Sequence, residues 1–421
     1  MTSSAMPLAT VRFGPWNGLL DLYLKSFVKK GRLGVTWPDG HRTEYGEPSA
    51  PVFNVQFRDP DLARRLILSP ELAVGEAYVE GVLDLEHDDL HGFFDLMLRN
   101  RRANPGWALQ LNLLIRQARR RADQANPIYA ARQHVAHHYD LDGGLYDLFL
   151  DADRQYSCAY FADETMTLDA AQEAKKAYIA RKLCLSPGQT VLDIGCGWGG
   201  LAITLARDFG AEVVGVTLST EQKAIADRRV AEAGLSDRVE IRLQDYRKVT
   251  GQFDRIVSVG MFEHVGTPHY GEYFDHVRRL LTEDGVALIH FIGRANSPSP
   301  QSPWILKYIF PGGHTPAMSE VFPVVEKSGL WCCDMEVWRL HYATTLRHWF
   351  DRFTAQREKA LAIYDHRFYR MWRYYLAASE MSFRRGWQAV YQVQLTKDQQ
   401  AVPLTRDYLW ASEPDALRRA S

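Results

Sequence analysis

Two sets of residues in this chain have types and spacings suited to chemistry. The first is the run Gln189 to Leu201, QTVLDIGCGWGGL, where an apolar stretch ends on Asp193 and Gly195, Gly197, Gly199 and Gly200 follow at once. Glycines there let a strand turn tightly into a helix and let a ligand approach amide N–H groups that no side chain shields. That is the chemistry of a nucleotide-type ligand. The second set lies at two other apolar runs: Met261-Phe262-Glu263-His264 follows one, and Ile289-His290-Phe291-Ile292-Gly293 falls within the next. A carboxyl and an imidazole at strand ends can exchange protons with a ligand held beside them. A lone histidine in such a position more often serves structure, and His264, His137, His138 and His314 have no stronger claim.

These residues need a frame, and the sequence from 190 to 293 supplies one. TVLDI, EVVGVTL, VEIRLQ, FDRIVSVG and GVALIHFIG read as strands, with the helices LAITLARDFG, TEQKAIADRRVAEAG and HYGEYFDHVRRLL among them. Strands that are apolar throughout, separated by amphipathic helices, predict an α/β doubly wound fold with a parallel sheet covered on both faces. Ligands of such sheets sit outside the carboxyl ends of the strands, so Glu263 and His290 are expected to face the cavity of the glycine turn.

The rest of the chain falls into flanking parts. A length of 421 residues allows two or three domains. Residues 1–98 predict a small α+β domain: a helix from Gly18 to Lys30, two strands around the turn Pro38-Asp39-Gly40, a third run Val52 to Phe57, a helix capped by Asp59, and another ending at Gly81. Residues 99–126 form an arginine-rich linker carrying Arg99, Arg101, Arg102, Arg116, Arg119, Arg120 and Arg121. It is either a solvated helix or a basic amphipathic one resting on anionic lipid, with Trp107, Leu109, Leu111, Leu113, Leu114 and Ile115 as its apolar contact. Residues 127–421 hold the sheet. An irregular segment from Pro127 could form a lid, and the helix Leu168 to Leu183 stops before Ser186-Pro187-Gly188. Proline-rich loops span 296–345, Gly329 to Trp338 offers another strand, and Ala343 to Arg385 is a long aromatic helical cap.

Composition narrows the class. A 46% hydrophobic and 24% charged chain of net charge −1 is globular and has no need of nucleic acid as a partner. Five scattered cysteines without a CxxC pair favour neither a disulfide framework nor a zinc site, and point to a reducing cytoplasm. MTSSAMPLATVRFG lacks the pattern of a secretory signal, and no stretch reaches the ~18 apolar residues of a membrane span. Any contact with lipid is therefore from the side.

The nucleotide can be chosen from the strand that follows the turn. Gly195, Gly197 and Gly200 satisfy GxGxxG, but a dinucleotide site wants an acid about 20 residues on, and that strand ends Val216-Thr217-Leu218-Ser219. With Asp193 before the turn the pattern is DxGxGxG, the usual opening of class I S-adenosylmethionine methyltransferases. Gln244-Asp245-Tyr246 suits the adenine, Asp245 accepting from its exocyclic amine.

YSCAYF (156–161), VLDIGCGWGG (191–200), VVGVTLS (213–219), FDRIVSVGMFEHVG (253–266), IFPGG (309–313) and HYATTLRHWFDRF (341–353) together resemble the cyclopropane-fatty-acyl-phospholipid synthases and their mycolic-acid relatives. The likeness runs from about residue 125 to 395, and the amino-terminal domain is similar to that of the long bacterial branch. It implies a Rossmann-like methyltransferase domain that adds a methylene across cis double bonds of phospholipid acyl chains, using S-adenosylmethionine and a bound bicarbonate. The implied anion ligands are Cys158, Glu263, His290, Ile292 through its backbone, and Tyr342. Glu263 would accept a proton from the anion, His290 and Tyr342 would donate to it, and Cys158 would help bind it without acting as a nucleophile. The implied methyl-donor residues are Tyr156, Ser157, Gly195, Gly197, Thr217, Leu218, Gln222, Asp245 and Tyr246, which join Asp193. The resemblance further implies peripheral attachment to the inner membrane face and a homodimer, and it turns the arginine-rich segment toward the lipid reading. A C-methyltransferase leaving a methyl or methylene branch is the alternative within the family.

Overall fold

A computed structural model of the chain describes residues 14–103 and 143–410, together with residues 110, 111, 113 and 116. The chain divides into two compact units between Ile115 and Arg116.

In the first unit the helix Pro15–Phe27 opens with proline at its first position, where a missing N–H costs nothing. The strands β1 (Arg32–Thr36) and β2 (Arg42–Gly46) pair as the expected hairpin. Strand β3 (Val52–Phe57) runs parallel to β1, and the short β4 (Leu83–Leu85) completes a sheet of order β2-β1-β3-β4. The helix Pro70–Glu80 ends on Gly81 in the left-handed conformation, as expected there. Strand β4 and the helix Leu90–Ala103 lie beyond the sequence reading, and that helix runs through the expected boundary at 98/99. Leu90, Phe93, Phe94 and Leu96 are buried along it, so the first arginines of the basic run simply end a packed helix. Asn100 is fully buried and fastens the helix, its Oδ1 accepting from the N–H groups of Lys29 (2.6 Å) and Lys30 (2.8 Å).

In the second unit a seven-stranded sheet has the order β7-β6-β5-β8-β9-β11-β10. Its strands are β5 (Thr190–Ile194), β6 (Glu212–Thr217), β7 (Val239–Leu243), β8 (Phe253–Val259), β9 (Leu281–Arg294), β10 (Trp331–Trp338) and β11 (Gln388–Thr396). Strands β5 to β9 pair in parallel, whereas β11 inserts antiparallel between β9 and β10. Alternate residues of β5 enter opposite cores: Leu192 and Ile194 pack with Phe274 and Val277, while Val191 packs with Ala202 and Leu205. The sheet is thus covered on both faces, as the apolar strands predict. Strand β11 is the unexpected one. The aromatic stretch divides into helices His341–Ala355, Arg357–Ile363 and His366–Arg384, the last capped by Asp365, whose Oδ1 accepts from the Phe368 N–H at 2.7 Å.

A strap of residues 151–158 is pressed onto the start of the helix Gly200–Phe209. A Cβ at Gly200 would collide with the Asp153 carboxylate and the Gln155 amide. Gly200→Ala should therefore cost about 1–3 kcal/mol by overpacking, read as a lowered Tm in thermal unfolding.

Candidate functional site

The sheet order reverses between β5 and β8, which opens a crevice at the carboxyl edge. There the chain leaves β5 through Gly195 (φ 84°), Gly197 (φ 56°) and Gly199 (φ 79°), backbone that other residues seldom adopt. The turn borders a cavity of about 170 Å³. All ten residues predicted to hold the methyl donor line it: Tyr156 and Ser157 from the strap, Asp193, Gly195 and Gly197 from the β5 turn, Thr217, Leu218 and Gln222 after β6, and Asp245 and Tyr246 after β7.

Where a dinucleotide site would carry an acid, the Thr217 hydroxyl lies 2.7 Å from Gln222 Oε1 in a buried pair. The pair is set by the cap of the next helix, Ser219 Oγ accepting from the Gln222 N–H at 3.2 Å. Asp193 is buried, and its Oδ2 has no hydrogen-bond partner among the described residues. Burial pushes its carboxyl up to about 7, with the Lys175 charge working the other way. At Asp245 burial also acts upward, but hydrogen bonds from Arg247 (Nε 2.9 Å, terminal nitrogen 2.7 Å) hold the carboxyl below its ordinary range.

The strap is fixed by the helix Leu168–Lys182, capped by Thr167. Gln172 Nε2 donates to the carbonyls of Gln155 (3.2 Å) and Ser157 (3.0 Å), and Lys176 Nζ donates to Asp153 at 2.6 Å. Lys175 Nζ donates to Gln155 Oε1 (2.6 Å) and Ser157 Oγ (2.8 Å). None of these three was singled out from the sequence, where lysines and a glutamine on a helix read as solvated.

The predicted acid–base residues form two groups beside that cavity. Glu263 lies in the turn after β8, and its Oε1 accepts from the Ile292 N–H at 2.7 Å. Its Oε2 is buried without a hydrogen-bond partner among the described residues, and burial raises the carboxyl to about 7. His290 sits two residues before Ile292 on β9, with Nδ1 3.0 Å from Gln392 Nε2. Donation by that amide leaves the imidazole proton on Nε2. Burial lowers His290 to about 3, so the ring is neutral at physiological pH. In the second group Cys158 is buried, and burial pushes its thiol up, away from nucleophilic thiolate. The next residue, Ala159, donates its N–H to Thr345 Oγ1 at 3.0 Å. Tyr342 stands one turn before Thr345 on the same helix, packed against Trp349 and Phe383.

These five do not line the donor cavity, but their neighbours Ser157, Gly260 and His264 do. His314 supports the Glu263 turn, its N–H donating to the Glu263 carbonyl at 2.9 Å. His137, His138 and the lid segment up to residue 142 lie outside the described residues. Gln392 and Thr345, which orient His290 and the strap, went unmarked in the sequence because each acts through a residue remote in the chain.

Residues 128–393 match a family model described as mycolic acid cyclopropane synthetase, and residues 22–102 match one described as a domain of unknown function. The chain is 40% identical to the cyclopropane-fatty-acyl-phospholipid synthase of Escherichia coli K12, over 82% of this chain and 88% of that protein. It is 36% identical to a probable fatty acid methyltransferase of Pseudomonas putida, over 85% of this chain and 90% of that protein. The solved structure of the mycolic acid cyclopropane synthase CmaA1, complexed with SAH and CTAB, superposes with a TM-score of 0.61 at 34% identity, over 65% of this chain and 99% of that chain.

Proposed function

Since this chain belongs to the mycolic acid cyclopropane synthetase family, we propose that it is an S-adenosylmethionine-dependent synthase that adds a methylene across cis double bonds of phospholipid acyl chains. In this reaction the alkene π electrons form a bond to the donor's methyl carbon as the carbon–sulfur bond breaks. The resulting substrate cation loses a proton from the new methyl group, and that C–H electron pair closes the ring. Bound S-adenosylmethionine supplies the electrophilic methyl, and bound bicarbonate supplies a base for the proton.

The residues of the cavity fit the donor by their chemistry. Asp245 accepts from the adenine amine, and the Thr217–Gln222 pair meets the ribose hydroxyls. The orphaned Oδ2 of Asp193 suits the remaining cationic donor, the ammonium of the methionine arm. Behind the cavity wall, Tyr156 of the lining stacks on Trp349 with ring centroids 5.2 Å apart, and Trp349 meets Tyr342 edge on. Such walls exclude water and present π faces to a developing cation.

One observation carries the carbon-alkylating reading over oxygen or nitrogen methylation: among the described residues Glu263 has a buried, partnerless carboxyl oxygen, while its other oxygen holds the N–H of Ile292, two residues along β9 from a neutral His290. Cys158, His290 and Tyr342 are uncharged hydrogen-bond donors, a set suited to one bicarbonate anion with Glu263 taking its proton. The Ile292 N–H donates to Glu263 Oε1, so the backbone of Ile292 acts on that anion by orienting the Glu263 carboxyl.

The name of the Pseudomonas relative favours a second reading, in which the same cation loses a different proton and a methyl or methylene branch results. Mass spectrometry of lipids from an expressing host, with hydrogenation before analysis, separates the two. A product one methylene heavier that resists hydrogenation supports ring closure; uptake of hydrogen supports the branch.

An acyl substrate supports the reading of a peripheral protein at a membrane surface; the cytoplasmic face and the homodimer rest on the family resemblance alone. No helix among the described residues is long and apolar enough to cross a membrane. Of the seven arginines, Arg99 pairs with Asp95, Arg101 with Glu71 at 2.8 Å, and Arg116 with the Gln301 carbonyl. Neutralising all seven should still reduce sedimentation with anionic liposomes, by about 1 kcal/mol per basic residue near the surface. Unchanged sedimentation would remove the segment from membrane attachment.

A further inference from the structure

Lys175 is only 1% exposed, yet it lines the donor cavity and belongs to none of the residue sets assigned above. An ammonium group can only donate hydrogen bonds. Ser157 Oγ, 2.8 Å away, must therefore accept from it, and Gln155 Oε1 at 2.6 Å must do the same. This leaves the Ser157 hydroxyl proton to point elsewhere, and no acceptor for it stands among the described residues, while Ser157 faces the cavity. The backbone of Ser157 cannot swing away, because Gln172 holds its carbonyl at 3.0 Å.

We propose that Lys175 is a positioning residue of the donor site, which fixes the Ser157 hydroxyl so that its proton is presented to the carboxylate of the donor's methionine arm. The inference rests on the reading of the cavity as an S-adenosylmethionine site. Lys175 and Asp193 then form the two poles for a zwitterion, the cation behind the carboxylate and the carboxyl toward the ammonium. The groups facing Lys175 are Asp151, Asp153 and Cys158 of the strap, Lys176 of its own helix, Asp193 of β5 and His290 of β9. Burial lowers Lys175 to about 8, so its proton is lost just above neutrality and the hydroxyl is then free to turn back and donate to the amine.

Calorimetric titration tests this with two probes: S-adenosylhomocysteine and its decarboxylated analogue, which keeps the adenine, ribose and amine. Lys175→Met should bind S-adenosylhomocysteine about 10- to 100-fold more weakly, the loss of a charge-assisted hydrogen bond, and bind the analogue no more weakly than the parent. Ser157→Ala should show the same selective loss, and the double variant should add little to either. The unaltered protein provides a measurement that needs no variant to fold. Its preference for the carboxylate-bearing probe should shrink as pH rises through about 8, since the amine of either probe is still largely protonated there and its contact with Asp193 cancels from the ratio. Equal weakening toward both probes, or a preference that stays constant with pH, would overturn the role of Lys175. Failure of the unaltered protein to bind S-adenosylhomocysteine at all would instead remove the donor reading itself, and the inference with it.

Discussion

Glu263→Gln is expected to lower turnover by about 10²- to 10⁴-fold, the range of a lost general acid or base, while S-adenosylhomocysteine binds within about threefold of the parent. Glutamine keeps an oxygen for the Ile292 N–H, which Glu263 accepts at 2.7 Å, so the turn after β8 should stay in place. What disappears is the ability of the second oxygen, buried and partnerless, to take a proton. The pH profile carries a matching sign. Burial raises this carboxyl to about 7, so it is protonated below that pH and activity should rise with a midpoint near 7; the variant should lack this limb. Stability moves the other way. A carboxyl whose folded pKa is raised contributes stability at pH values below its unfolded value, and loses that contribution as pH rises through the folded one. The variant should thus be at least as stable as the parent at pH 8, which separates a chemical loss from an unfolding one. Full activity would remove Glu263 from the mechanism.

Asp193→Asn is expected to weaken S-adenosylhomocysteine binding about a hundredfold, since it removes one partner of a buried charge pair formed with the ligand's ammonium. Without ligand the same change should raise Tm above pH 7. The carboxyl is buried, lacks a hydrogen-bond partner at Oδ2 and is pushed up to about 7, so its ionised form is the costly one there. Calorimetry and thermal unfolding at pH 8 check the two signs together. Weaker binding with a lower Tm would mean that Asp193 serves the fold, and unchanged binding would take it out of the donor site.

How far the sequence foretold this arrangement depended on where each residue's partner lies. The parallel strands were legible because Val191, Leu192, Val213 and Val257 are buried from both sides, and burial on both faces leaves an unbroken apolar run. Strand β11 defied that logic. Gln388, Gln392 and Gln394 interrupt its apolar residues, yet Gln392 and Gln394 are buried, their amide N–H groups donating to distant partners: His290 for one, the Lys182 carbonyl and Tyr408 for the other. Lys175 was illegible for the same reason, its acceptors lying on a strap 18 and 20 residues away. The helix Leu90–Ala103 straddles the expected boundary, its first nine residues falling in the amino-terminal domain with no element assigned and the rest in the basic linker from Arg99, because arginines at its end concealed an apolar face at Leu90, Phe93 and Phe94. Cations at a helix carboxyl end are favourable without any partner beyond the helix itself.

The donor residues were the easier half of the site. Asp193, Gly195 and Gly197 are contiguous, and the absence of an acid after Val216 found its counterpart in the Thr217–Gln222 pair. The acid–base half spans positions 158 to 342, and single-sequence spacing says nothing about which of its members meet. Only the family resemblance named Cys158, Ile292 and Tyr342. The structure then joined Glu263 directly to Ile292 and tied Cys158 to the helix of Tyr342 through Ala159 and Thr345.

The most direct test of the central claim is the fate of the transferred methyl. Purified protein incubated with an unsaturated phospholipid and S-adenosylmethionine carrying a fully deuterated methyl group should give an acyl chain that holds one deuterium fewer than the donor methyl and takes up no hydrogen over a catalyst. A chain that retains every deuterium, or one that still adds hydrogen, would contradict ring closure.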